Sequence, residues 1–143
     1  MFRNLLVAID GSPTARRALE EGAELAEALN SRLTLIAVAP GVPASAHRAG
    51  VNVRELEREI QADTEKLLRE AVGSLPEDLP VTTVLKQGDA GERIVEQIRS
   101  GNHDLLVMGS RGRGRVASNL FGSVGAYVHY HARVAMLVMH PED

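Results

Sequence analysis

The stretch Leu5-Leu6-Val7-Ala8-Ile9-Asp10-Gly11-Ser12-Pro13 decides how the rest of the chain is read. Its unbroken apolar run, with no polar alternation, marks a strand buried on both faces, and the Asp-Gly-Ser-Pro that follows is a turn into a helix. Ser12 suits the helix N-cap and Pro13 the first helical position. Ala15, Ala18, Gly22, Leu25, Ala26 and Leu29 then recur at mostly helical intervals, which predicts a helix with a small, close-fitting packing face, stopped at Asn30. A buried strand followed at once by an amphipathic helix opens an α/β chain.

The same alternation continues. Arg32 to Ala39 reads as a second strand, and Pro40-Gly41-Val42-Pro43 opens a loop of about a dozen residues, long enough to predict a mobile segment or a lid. Val53, Leu56, Ile60, Leu67 and Ala71 line one face of a second helix, whose other face interleaves charges of both signs and reads as solvated. Val81 to Leu85 is a third strand. Asp89 and Glu92 resemble a capping box for a third helix that packs Ile94, Val95 and Ile98 inward and ends at Gly101-Asn102. Leu105 to Met108 forms a fourth buried strand, followed by a Gly/Arg loop, a fourth helix near Gly122 to His131, and a last strand from Val134 to Met139. Strands joined by helical crossovers predict a single-domain, open, parallel five-stranded sheet over residues 1–143, Rossmann-like, with helices on both faces.

Composition removes several function classes. The 143 residues carry a net charge of −3, against a protein that chiefly wraps nucleic acid, and the 3% aromatic content leaves little for base stacking. Cysteine is absent, so disulfides, thiolate metal sites and cysteine nucleophiles are excluded. Apolar runs such as Val134 to Met139 are far shorter than a bilayer span, and no secretory signal opens the chain, so a soluble, cytoplasmic protein is expected.

Chemistry concentrates at two strand ends. The first strand runs into Asp10-Gly11; the fourth runs into Gly109-Ser110-Arg111-Gly112, and nine residues beyond Gly112 stands Gly122-Ser123. This G-x-x-G-x9-G-S spacing, between a buried strand and a helix start, describes an anion cradle of backbone N–H groups with a hydroxyl at the positive end of a helix. A ligand-free Gly-rich turn is the alternative. Neither a P-loop nor a dinucleotide fingerprint is present. Asp10 has three readings: orienting a ribose or adenine, facing a magnesium ion carried by phosphates, or capping its own turn. Arg111, Arg113 and Arg115 read either as contacts to phosphates or to a partner, or equally as a mobile solvated loop. His129 and His131 fall on different helix faces, and His47, His103 and His140 read as loop or terminal residues, so no histidine metal site is expected.

The opening Leu5 to Ser12, the segment Asp104 to Gly112 and the triplet Gly122-Ser123-Val124 together resemble the nucleotide-binding branch of the universal stress protein family, along the whole chain. The resemblance implies the strand order 3-2-1-4-5, which sets the first and fourth strands side by side. It further implies phosphate and ribose against Gly109, Arg111, Gly112, Gly122, Ser123 and Val124, with adenine near Ala8, Ile9, Asp10, Val38 and Met108. The implied protein is an ATP-binding stress-response or signalling module with little or no turnover, since no His, Lys or Glu is placed beside the phosphate loop. A slow ATPase or phosphotransferase, or a nucleotide-free interaction protein, are the alternatives. In that order the last strand is an apolar edge, which predicts a homodimer through antiparallel pairing, with Leu137 read as one edge donor.

Overall fold

The computed structural model describes residues 1–110 and 122–142. The elements are β1 (Asn4–Ala8), α1 (Pro13–Leu29), β2 (Arg32–Ala39), α2 (Ala44–Arg48), α3 (Val53–Gly73), β3 (Val81–Gln87), α4 (Ala90–Gly101), β4 (Leu105–Gly109), α5 (Gly122–His131) and β5 (Ala135–Met139). The sheet is parallel throughout, in the order β3-β2-β1-β4-β5. At its centre Val7 pairs with Leu35 on one side and Val107 on the other.

Alternation along the strands separates two cores. Leu5, Val7, Leu35 and Val107 face α1 and α3 with Ala18, Leu19 and Leu68, while Leu6, Ile36, Leu106 and Met108 face α4 and α5 with Ile94, Val95 and Val128. Leu5, Leu6 and Val7 are fully buried, each contributing about 1.5–3 kcal/mol of apolar transfer. The small face of α1 is what brings it close: a Cβ on Gly22 would lie 2.5 Å from Val7 Cγ2.

The caps follow the sequence. Ser12 accepts from Ala15 N at 3.2 Å, and Asp89 accepts from Glu92 N at 3.0 Å. Asn30 and Asn102 both close their helices in the left-handed region at φ 54°.

Three expectations change or gain detail. The segment after β2 contains the short helix α2, begun by the extended Pro43 and anchored by buried Ala46, so it is not wholly a loop. His103 lies in the α4–β4 connection, as expected of a loop residue, but it is buried: it is 7% exposed, packs beneath Gly101, and its Nε2 lies 3.1 Å from Gln97 Nε2. Leu137 does not donate to the free edge. Ser110 N donates to Met139 O at 2.9 Å, so the Met139 carbonyl faces β4, and alternation turns Ala135 and Leu137 the same way, leaving Met136 and Val138 to point outward. Among the described residues no helix is long and apolar enough to cross a membrane.

Candidate functional site

Strand order reverses between β1 and β4, so the chain leaves β1 for α1 on one face and reaches α5 from β4 on the other. A crevice opens between such departing connections, at the carboxyl ends of the strands. On the β1 side, Asp10 is half-buried and its Oδ1 accepts from Ser12 N at 2.9 Å, an Asx turn with Gly11 at φ 84°. The capping reading of Asp10 is therefore realised. That turn starts α1 and holds the carboxylate at the crevice.

On the β4 side, Gly109 has a packing reason to be glycine. A Cβ there would collide with Thr14 Oγ1 and lie 2.7 Å from Ala15 N, because the first turn of α1 rests directly on the end of β4. Gly122 is constrained by conformation instead, with φ 66° and open space around it, the nearest atom to an added Cβ being Ser110 O at 3.8 Å. The end of β4 is thus adjacent to the start of α5, as the motif spacing predicts. Ser123 is exposed there and Val124 is half-buried against the α4/α5 core. Arg111 and Gly112 lie outside the described residues.

Of the residues assigned to adenine, Ala8, Val38 and Met108 come together on the α4/α5 side. Ile9 points to the opposite core, beside α1. Sequence reasoning missed Ser110. It is 1% exposed, its Oγ has no hydrogen-bond partner among the described residues, and its pairing to β5 extends the strand so that alternation sets it on the side of Met108. A buried hydroxyl left without a partner costs about 1–3 kcal/mol, which makes Ser110 Oγ a candidate hydrogen-bonding group of the site. The available signal was its position, a polar residue directly after a wholly buried strand and inside the glycine motif. Among the described residues, no group of three His, Asp or Glu could hold a metal ion.

Comparison with known proteins agrees with this arrangement. The model of the universal stress protein family matches residues 1–140. A universal stress protein of Thermus aquaticus is 30% identical over 97% of this chain and 99% of its own. Among solved structures, universal stress protein UspA from Lactobacillus plantarum is similar at TM-score 0.80 and 22% identity, covering 96% of this chain and 97% of that one. A universal stress protein family protein from Arabidopsis thaliana, solved with AMP bound, is similar at TM-score 0.71 and 20% identity, covering 98% and 92%. From its sequence match and its fold, the chain belongs to the universal stress protein family.

Proposed function

We infer that this chain is an adenine-nucleotide-binding module, with ATP as ligand, whose occupancy rather than turnover is its output. The observation that carries the reading is the meeting of the β1 and β4 ends with the start of α5, where buried Ser110, its hydroxyl unpartnered among the described residues, has its backbone carbonyl beside the positive-φ Gly122. Backbone donors at a helix start suit a phosphate, and Ala8, Val38 and Met108 supply an apolar wall for a base. The AMP-bound Arabidopsis structure supports the ligand class. Asp10 is the side chain for a magnesium ion carried by the phosphates.

Slow turnover is supported by the residues on hand. Among the described residues directly following β1 and β4, Asp10 is the one acid, and it is engaged by Ser12 N–H rather than poised to take a proton. Bound nucleotide would supply charge and stacking surface that change how a protein partner meets the strand-end face. Pairing of β5 with its own copy would make the working unit a homodimer.

The test is calorimetry with ATP, AMP and cyclic AMP on the wild type and on Gly112→Val, in which a side chain enters the predicted cradle. Binding that disappears in a folded Gly112→Val protein is expected. Undiminished ATP affinity there would sink the assignment. Phosphate release in the range of about 1–1000 per second, abolished by Asp10→Asn, would favour the enzyme alternative.

A further inference from the structure

At the opposite end of the sheet, where the chain enters β4 and β5, lies a cleft of about 460 Å³ lined by Ile98, Arg99, Asn102, His103, His131 and Arg133. No carboxylate is among these residues, in a chain whose net charge is −3. Cations gather at helix C-termini to satisfy free carbonyls, and α4 and α5 both end here. Part of that need is already met. Ile98 O accepts from His103 N at 3.1 Å, Gly101 O from Asn4 Nδ2 at 2.8 Å, and Asn102 O from the same amide at 3.2 Å. At the end of α5, Val128 O accepts from Ala132 N at 2.9 Å, and His131 O accepts from Arg99 Nη2 at 2.8 Å.

Arg99 therefore spends one arm of its fork on α5, and Arg133 has no hydrogen-bond or ion-pair partner among the described residues. The neighbouring acid, Asp104, forms no ion pair with either arginine among the described residues. Both Asp104 carboxylate oxygens are taken, by Arg3 N at 2.8 Å and Asn4 N at 3.0 Å. The buried wall of the cleft is the His103 ring. Two arginines from separate elements thus line one concave surface with no ion-pair partner among the described residues, and their forked donors match the tetrahedral oxygens of a phosphate.

We propose that this cleft, at the far end of the sheet from the nucleotide crevice, binds a phosphate group, held by Arg133 and the free arm of Arg99. The source is either free phosphate or the phosphoryl group of a small monoester. The proposal does not depend on nucleotide binding at the other end.

The test is ¹⁵N NMR titration of the full chain with inorganic phosphate and, separately, with phenyl phosphate, chloride being added to matched ionic strength as control. Saturable shifts confined to the amides of Asn102, His131 and Arg133 are expected, and the tighter of the two probes identifies the source. Arg133→Gln should weaken binding by about tenfold or more, the loss of one charge-assisted contact, while Arg133→Lys retains part of it. Because Arg133 is exposed and unpartnered, thermal unfolding of Arg133→Gln should match the wild type. Shifts that chloride reproduces, that never saturate, or that persist unchanged in Arg133→Gln would overturn the proposal and leave the cations as helix-end caps only.

Discussion

Gly109 shows why a single residue needs its surroundings before its role is assigned. The motif spacing reads it as part of a phosphate cradle, yet its missing Cβ is also required by the first turn of α1, with the Ala15 nitrogen 2.7 Å from where that carbon would sit. Gly109→Ala should therefore destabilise the protein by about 1–3 kcal/mol, the usual cost of overpacking, with or without nucleotide. Urea unfolding without ligand is the check; an unchanged midpoint would return Gly109 to a purely ligand-facing role. His103 makes a second prediction at this scale. Burial lowers its pKa from 6.5, outweighing the opposing Asn4 carbonyl and Asp104 charge. Below that value the unfolded chain takes up a proton the folded one resists, so stability should be intact above 6.5 and fall as pH drops through the lowered value. Urea midpoints from about pH 7 to about pH 5 should fall more steeply for the wild type than for His103→Gln, and parallel curves would exclude His103 as the cause. Asp104 acts at more acid pH. Burial opposes its charge, but the backbone N–H groups of Arg3 and Asn4, aided by the N-terminal ammonium, hold it below 3.8, and its contribution is lost as pH falls through that lowered pKa.

Helix α4 illustrates the element scale, because both its ends are specified by side chains. Asp89 takes up the Glu92 N–H at one end, and Asn102 reverses the chain at φ 54° at the other. Asp89→Ala should cost about 1 kcal/mol through the lost cap, and Asn102→Ala about 1 kcal/mol through a left-handed backbone that alanine resists. Asn102→Gly should be better tolerated. The two sites are separated by the twelve-residue helix, so the double variant should show the sum in denaturant unfolding. A double variant no worse than either single one would mean that α4 frays without affecting the core. The short α2 obeys the same logic with less to show for it: Pro43 starts it, but no side-chain cap holds its first turn.

At the scale of the whole molecule, β5 is one of the two edges of the sheet, with Met136 and Val138 directing their backbone groups away from β4. If a second copy covers that edge, light scattering should give a mass near twice 15.4 kDa. Val138→Pro removes an outward donor and should yield a folded monomer, whereas Leu137→Pro strikes the ladder to β4 and should lose the fold. A wild-type monomer would refute the pairing, and a dimer indifferent to Val138→Pro would move the interface elsewhere.

Local physics made much of this protein legible from its residues alone. Unbroken apolar runs such as Leu5 to Ile9 can only be strands buried on both faces, Ser12 and Asp89 can satisfy the N–H groups that a helix start leaves free, and Asn30 and Asn102 tolerate the left-handed turn that ends one. These depend on neighbours a few positions away, as does the glycine motif that carries the family resemblance. What the tertiary structure alone decided depends on residues far apart in the chain. Thr14 constrains Gly109 across 95 positions, the carbonyl of Met139 sets which groups of β5 face outward, and Arg99 and Arg133 line one cleft only because α4 and α5 end side by side. Periodicity states which side of an element is apolar, but what lies across from it is fixed only when the sheet order brings the elements together, and that is where His103 and Ser110 become buried.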